Sequence, residues 1–205
     1  MPESSSAFSR VQFLVSAGIA GGLPPPDAPE LAFAGRSNVG KSSAINALAR
    51  RRRLAYVSKT PGRTQTINFF DLGGRGRLVD LPGYGYARVP QAVRAQWDQL
   101  VGGYLETRAA LAGIVVLMDA RRPFTPPDEH LLAWLRPAGR RLLVLLAKSD
   151  KLARSAREAA LRSVRVRLES SDPDAQALLF SSHSGEGVEA ARALLEDWLR
   201  AARDE

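Results

Sequence analysis

One segment, residues 35–43, constrains the chain more than any other. It reads Gly-Arg-Ser-Asn-Val-Gly-Lys-Ser-Ser and fits G-x-x-x-x-G-K-[ST], the pattern of a phosphate-binding loop, or P-loop. An apolar run at residues 30–34 precedes it and helix-forming residues 44–49 follow it, so strand, loop and helix succeed one another as the motif requires. Glycines let backbone N–H groups surround an anion, and a helix N-terminus adds partial positive charge. We therefore expect Lys41 to reach the β- and γ-phosphates of a nucleotide and the Ser42 hydroxyl to bind Mg²⁺.

The rest of the chain alternates strand and helix patterns, which predicts an α/β fold class. Continuous apolar runs at residues 113–118 and 142–147 are typical of parallel strands buried on both faces. A glycine-rich turn at residues 73–76 predicts a hairpin that supplies one antiparallel edge strand. The expected architecture is a three-layer domain, a mainly parallel sheet with helices on both faces. Further strands are predicted at residues 10–16 (an edge strand or an extended arm), 67–71, 77–81 and 177–180, and helices at residues 90–110, 128–135 (capped near Thr125), 155–168 and 188–202.

Length and composition limit the alternatives. The 205 residues suffice for one domain, placed at residues 29–205, with residues 1–28 as an N-terminal extension and loop and the Ser-rich residues 1–9 frayed. There is no cysteine, which excludes disulfides and thiolate metal sites. No secretory signal and no apolar run of membrane-spanning length is present, so we expect a cytoplasmic protein without a membrane partner. The net charge of +8 favours a polyanionic partner, nucleic acid or anionic lipid, or else a basic surface kept for solubility.

Two further motifs stand at predicted strand ends and indicate the nucleotide. Asp80 ends a strand in Asp-Leu-Pro-Gly, which places a carboxylate for the Mg²⁺ shell and the Gly83 N–H for a γ-phosphate. Lys148 and Asp150 end another strand in Ala-Lys-Ser-Asp. An Asp there accepts hydrogen bonds from N1–H and N2–H₂ of guanine, whereas adenine offers neither donor, and the Lys148 stem can lie across the base. Residues 181–185 are predicted to offer backbone N–H groups to guanine O6. Alone, Lys148 and Asp150 also fit a solvated strand end; their order after the P-loop favours guanine recognition.

Longer segments carry a family resemblance. The P-loop, Lys-Thr-Pro-Gly-Arg-Thr-Gln-Thr-Ile-Asn-Phe-Phe, Val-Asp-Leu-Pro-Gly-Tyr-Gly-Tyr-Ala and Phe-Ser-Ser together resemble the EngB (YihA/YsxC) family of bacterial ribosome-assembly GTPases, in the translation-factor-related (TRAFAC) class of P-loop GTPases. The resemblance implies GTP binding and hydrolysis with Mg²⁺, maturation of the large (50S) ribosomal subunit, and a link to cell division and septation. It also implies that Thr64 is the switch I threonine that closes onto Mg²⁺, and that residues 62–66 contact the nucleotide.

The candidate site residues fall into three roles. The catalytic candidates are Lys41, Thr64 and Gly83, and the metal ligands are Ser42, Thr64 and Asp80. The nucleotide-binding candidates are Gly35, Arg36, Ser37, Asn38, Val39, Gly40, Lys41, Ser42, Ser43, Gly62, Arg63, Thr64, Gln65, Thr66, Asp80, Leu81, Pro82, Gly83, Ala147, Lys148, Ser149, Asp150, Phe180, Ser181 and Ser182.

Two positions depart from the patterns of related GTPases. Ala147 stands where the family usually has Thr, and it has no side-chain donor to tie its loop to the P-loop, so we expect weaker nucleotide affinity with unchanged base choice. Tyr84 stands where many GTPases carry a water-orienting Gln, and a phenol cannot copy an amide. Hydrolysis is therefore expected to be slow in the isolated chain. Two explanations stay open: a partner completes the site, or Asn38 helps to hold an activating K⁺.

A basic run lies next to the predicted switch. Arg50, Arg51, Arg52 and Arg53 end the first helix, and Lys59 and Arg63 lie in the mobile loop predicted at residues 58–66. This patch is expected to couple ribosomal RNA binding to the nucleotide state, although cations at a helix C-terminus also have a purely structural explanation. We expect a monomer. Two alternative functions stay open: an ATP-using P-loop enzyme, and a nucleotide-regulated RNA-binding module with negligible turnover.

Overall fold

The computed structural model describes residues 6–55, 66–84 and 98–204. The strands are β1 Gln12–Ala17, β2 Glu30–Gly35, β3 Ile67–Asp71, β4 Arg77–Asp80, β5 Leu111–Asp119, β6 Arg141–Ala147 and β7 Gln176–Phe180. The α-helices are α1 Lys41–Leu48, α2 Gly103–Thr107, α3 Pro126–Leu135, α4 Arg154–Glu169 and α5 Val188–Asp204. Short helical turns occur at Ala7–Arg10, Ala20–Gly22, Asp98–Gly102, Arg136–Ala138 and Ser149–Lys151.

The seven strands form one sheet in the order β1-β3-β4-β2-β5-β6-β7. β2 pairs in parallel with β4 and β5, and parallel pairing continues through β6 to β7. Among the described strands, only β3 runs against the others, antiparallel to both β1 and β4. The predicted fold class, a mainly parallel sheet with one antiparallel strand, is confirmed. The prediction that this strand lies at the edge of the sheet is wrong, because β1 pairs with the outer side of β3. The segment predicted at residues 10–16 as an edge strand or an arm is the edge strand β1, which lies outside β3.

Strand β5 shows why helices lie on both faces of the sheet. Val115 and Leu117 belong to one buried cluster, whereas Ile114, Val116 and Met118 belong to a second. Successive strand side chains point to opposite faces, so a continuous apolar run needs cover on both. Helices α1 and α5 contribute to the first cluster, and α2, α3 and α4 contribute to the second. The predicted three-layer arrangement follows.

The N-terminal segment is more ordered than the sequence suggested. Ala7 and Phe8 are buried in the first cluster. Glu196 on α5 accepts hydrogen bonds from the Ser6 hydroxyl at 2.5 Å and from the Ala7 N–H at 2.9 Å. The prediction of a frayed terminus is therefore wrong for residues 6–9, because their partners on α5 are about 190 positions away and leave no local pattern. The division of the chain at residue 28 stays a prediction.

Helix boundaries differ from the predicted ones by a few residues. α1 begins at Lys41 rather than at residue 44, so the last residues of the P-loop motif form its first turn. Of the helix predicted at residues 90–110, residues 90–97 lie outside the described residues, and helical backbone runs from Asp98 to Thr107. The helix predicted from residue 128 begins at Pro126, with Thr125 at its N-cap as expected. Over the described ranges, every helix is too short or too polar to cross a membrane.

Gly113→Ala is expected to lower the free energy of unfolding by about 2 kcal/mol, because overpacking a filled core forces side chains out of their preferred positions. Gly113 lies in β5 against the indole of Trp198 on α5, and an added Cβ would stand 2.3 Å from Trp198 Cε3. Urea unfolding followed by tryptophan fluorescence measures the loss. The matched control is Gly103→Ala, where a Cβ would meet no atom within 4 Å. A loss in Gly113→Ala no larger than in Gly103→Ala would contradict this packing.

Candidate functional site

The P-loop joins the end of β2 to the start of α1. Gly35 is the last residue of β2, and a Cβ there would stand 2.8 Å from Val39 Cγ1. Gly40 caps α1 with φ +112°, and Asn38 has φ +62°. Positive φ values at two positions in one loop turn the backbone sharply, and at Gly40 only glycine adopts the angle without strain. Val39, which is 3% exposed, fixes the loop to the core. The backbone thus has the form that the motif predicted.

A lysine and an aspartate meet at the start of α1. Asp80 ends β4 and stands beside Phe33 of β2 in the parallel register, which brings its carboxylate next to the P-loop. Lys41 Nζ donates a hydrogen bond to Asp80 Oδ1, and both side chains are nearly buried. Ser42 follows Lys41 in the first turn of α1. A hydroxyl and a buried carboxylate are hard oxygen donors of the kind that Mg²⁺ takes, and a cationic Nζ beside them suits a polyphosphate. These residues therefore fit a Mg²⁺–nucleotide complex.

The turn after Asp80 is fastened to the P-loop. The Ser37 N–H donates to the Tyr84 carbonyl oxygen at 3.1 Å, and the Tyr84 N–H donates to the Gly35 carbonyl oxygen at 3.4 Å. Gly83 passes so close that an added Cβ would stand 3.2 Å from Ser37 N. The predicted Asp-x-x-Gly turn therefore lies directly against the phosphate-binding segment.

The ends of β6 and β7 bring the predicted base-binding residues together. Ala147 and Phe180 are partners in the parallel register, so the segments that follow them are neighbours. The Ser181 hydroxyl donates to Asp150 Oδ1 at 2.6 Å, and its oxygen accepts the N–H groups of His183 and Ser184 at 3.2 and 3.1 Å. The Ser181 hydrogen bond, together with Lys151, holds the pKa of Asp150 below its usual range. Asp150 is thus an ionised acceptor at neutral pH, as guanine recognition requires.

Lys148 connects the predicted base-binding loop to the P-loop. Its Nζ donates to the Asn38 carbonyl oxygen at 2.9 Å and lies 3.2 Å from Asp119 Oδ2. Ala147 is 4% exposed and packs in the first core cluster. The Ala147 side chain has no donor that could connect the two loops. Lys148 makes this connection instead. The expected weaker affinity caused by Ala147 stays a prediction.

Two acidic residues of the site were not predicted. Asp119 ends β5 and accepts hydrogen bonds from Arg121 Nε and Nη2 at 2.9 and 2.7 Å, and the Arg121 guanidinium holds the pKa of Asp119 well below its usual range. Glu186 accepts the Ser149 hydroxyl at 2.5 Å and pairs with Arg157 at 3.0 Å. Asp119 carried a usable signal, since it ends an apolar run just as Asp80 does. Glu186 lies in an irregular loop and carried none.

The described site residues lie together at the carboxyl ends of the parallel strands β2, β4, β6 and β7. In open parallel sheets, ligands bind at the carboxyl ends of the strands. Thr66 lies just before β3, where its hydroxyl donates to Asn68 Oδ1 at 3.2 Å. The predicted switch I residues Gly62, Arg63, Thr64 and Gln65 lie outside the described residues.

Comparison with known proteins supports the same chemistry. Residues 30–148 match the family model described as a 50S ribosome-binding GTPase. The chain is 52% identical to a probable GTP-binding protein EngB of Azoarcus sp. (strain BH72), over 94% of this chain and 92% of that one. It is 50% identical to a protein of the same name from Nitrosococcus oceani, over 95% of this chain and 98% of that one. The crystal structure of a probable GTP-binding protein engB superposes with a TM-score of 0.68 at 23% identity, covering 84% of this chain and 99% of that chain, which supports the fold.

Proposed function

Because the chain belongs to the EngB family of P-loop GTPases, we propose that it uses GTP hydrolysis as a switch in assembly of the large ribosomal subunit. The chain binds guanine nucleotides and hydrolyses GTP to GDP and phosphate, as its family does. The observation that carries the proposed switch is the contact of the Gly83–Tyr84 turn with the P-loop, since this contact brings the Gly83 N–H close to the loop that would hold the γ-phosphate. The matched family's description as 50S ribosome-binding supports the target.

The proposed roles at the phosphates follow from the geometry. Lys41 leaves Asp80 to bind the β- and γ-phosphates, and Ser42 and Asp80 hold Mg²⁺ directly or through water, with Thr64 completing the shell as the family resemblance implies. When bound, Mg²⁺ would neutralise the negative charge that develops during phosphoryl transfer. The Gly83 N–H donates to the γ-phosphate, so hydrolysis removes its acceptor and releases the turn.

The proposed base site reads guanine through one carboxylate. Asp150, held in place by the Ser181 hydroxyl, accepts from N1–H and N2–H₂. The Ser182 N–H donates to O6, since the Ser181 N–H already donates to the Glu186 carbonyl oxygen at 2.9 Å. Lys148 lies across the base while its Nζ stays on the Asn38 carbonyl. The base site is thus joined to the phosphate site. An ATP-using enzyme and a module with negligible turnover are not retained, because the family is one of GTP-hydrolysing proteins.

The experiment that tests the proposed target is co-sedimentation with purified large ribosomal subunits. We expect binding with a non-hydrolysable GTP analogue to be at least about tenfold tighter than with GDP, in line with typical coupling between two ligands. Small subunits serve as the control. Equal affinity in both nucleotide states, or equal binding to both subunits, would contradict the proposal.

Hydrolysis by the isolated chain is proposed to be slow and activated by K⁺. The Tyr84 ring is buried, so position 84 offers no group that replaces a water-orienting amide. A cation held beside Asn38 in the P-loop would neutralise charge in the transition state, as an arginine finger does, and we expect at least about tenfold faster single-turnover hydrolysis in KCl than in NaCl. Equal rates in the two salts would leave activation by a partner as the explanation.

The patch formed by Arg51, Arg52 and Arg53 is proposed to contact ribosomal RNA. All three side chains are exposed after the end of α1, whereas Arg50 pairs with Glu189 at 3.2 Å. Exposed guanidinium groups bind phosphates and release counterions. RNA is favoured over anionic lipid because the matched family is ribosome-binding. The proposed cytoplasmic location agrees with this target, and the link to division and septation rests on the family resemblance.

Replacing Arg51, Arg52 and Arg53 by Ala is expected to weaken large-subunit binding and to reduce the slope of log affinity against log salt by about 2, since each lost phosphate contact removes about 0.7–0.9. The control replaces three other exposed arginines, Arg140, Arg162 and Arg203, and so makes the same change in net charge. An unchanged slope in the first variant, or an equal change in both, would reject the patch.

A further inference from the structure

One buried carboxylate joins three parts of the molecule. Asp128 lies in the first turn of α3 and is 0% exposed. Its Oδ2 accepts the Thr125 N–H at 3.0 Å and the Thr125 hydroxyl at 2.6 Å. Its Oδ1 accepts the Tyr84 hydroxyl at 3.0 Å and lies 3.2 Å from Nε of Arg36 in the P-loop. Asp128 therefore links the start of α3 to the P-loop and to the turn after Gly83.

The Tyr84 side chain is held away from solvent. It is 8% exposed and belongs to the second core cluster. Burial, and next the negative charge of Asp128, raise the pKa of Tyr84, so its phenol stays protonated and donates. The Tyr84 N–H and carbonyl are bonded to Gly35 and Ser37 of the P-loop. Tyr84 is thus fixed at its backbone and at the tip of its ring.

We propose that Asp128 is a positioning residue for GTP, because through the Tyr84 hydroxyl it holds the Gly83 N–H ready for the γ-phosphate. It also keeps the Tyr84 ring out of the space that an attacking water needs. The inference rests on the role of Gly83 given under the proposed function. If the ring loses its anchor, the Gly83–Tyr84 turn must become ordered when GTP binds, and that entropy loss weakens binding. GDP has no γ-phosphate and does not require the ordering.

Tyr84→Phe removes the hydroxyl and leaves the ring. In the presence of Mg²⁺, we expect the Kd for a non-hydrolysable GTP analogue to rise about 3- to 10-fold, the effect of one lost hydrogen bond, with the Kd for GDP unchanged. The matched control is Tyr104→Phe. The Tyr104 ring is also buried and its hydroxyl also donates to a buried carboxylate, Glu30 Oε2 at 2.9 Å, but Glu30 begins β2 at the end opposite Gly35.

A selective loss of analogue affinity in Tyr84→Phe, absent from Tyr104→Phe, supports the inference. Equal changes for the analogue and GDP, or no change for either, overturn it even if the variant is less stable. In an Asp128→Ala background, Tyr84→Phe should cause no further change in the ratio of the two Kd values; a full additive change would show that the hydroxyl does not act through Asp128. A wild-type chain that binds neither nucleotide would instead overturn the proposed function.

Discussion

Asp150→Asn is expected to weaken GDP and GTP binding at least about 1,000-fold, because a site built to pair buried polar groups rejects a ligand that leaves them unpaired. The carboxylate accepts two hydrogen bonds, whereas an amide carries one acceptor and one donor group. Xanthine has a carbonyl where guanine has its exocyclic amine, so the amide N–H gains an acceptor. The variant should therefore bind xanthosine diphosphate and triphosphate tightly. Equilibrium titration with Mg²⁺ and each nucleotide measures the exchange.

The control for this change is Asp174→Asn, which replaces an exposed Asp in the segment before β7. It should bind GDP as the natural chain does. If Asp150→Asn loses guanine nucleotides without gaining xanthosine nucleotides, Asp150 supports the loop but does not read the base. If it keeps guanine nucleotides, the assignment of the base site to Asp150 and Ser181 is wrong.

Lys41→Ala is expected to lower single-turnover GTP hydrolysis at least about 100-fold, since one preorganised charge or donor at a transition state contributes a factor of this size. The Lys41 ammonium stands at the first residue of α1 and contacts Asp80, so its loss removes charge from the phosphate site itself. Hydrolysis is measured with enzyme in excess over GTP and with saturating Mg²⁺, which separates chemistry from product release.

Lys41→Ala also leaves the nearly buried Asp80 carboxylate without this cation, so unfolding in urea is measured alongside the rate. Arg203→Ala makes the same change in net charge at an exposed position on α5 and should leave the rate unchanged. A rate within about threefold of the natural chain's would contradict the assigned role, because it is far smaller than the effect of removing one transition-state donor.

Residues that end apolar strands could be predicted from the sequence. Gly35, Asp80 and Asp150 each follow an apolar run, and the ends of parallel strands meet at one edge, so pattern alone places them together. Asp119 also ends an apolar run, at the end of β5, and lies at the same carboxyl ends of the strands. The sequence does not distinguish an edge strand from an arm at β1, because the pairing of β1 with β3 depends on residues about 55 positions away.

Contacts between distant side chains could not be predicted. The position of Tyr84 after Asp-x-x-Gly showed that it could not replace Gln, but the direction of its ring depends on Asp128, 44 positions later. The burial of Phe8 likewise depends on α5. Both contacts arise from packing between elements, whereas sequence periodicity records only which face of one element is apolar.

Equilibrium binding of GDP, GTP, ADP and ATP to the natural chain, each with Mg²⁺, tests the central claim most directly. The contact of Asp150 with Ser181 and that of Lys148 with the P-loop predict that guanine nucleotides bind at least about 1,000-fold more tightly than adenine nucleotides. Similar affinities for adenine and guanine nucleotides would contradict the base site, and with it the account of this chain as a guanine-nucleotide switch.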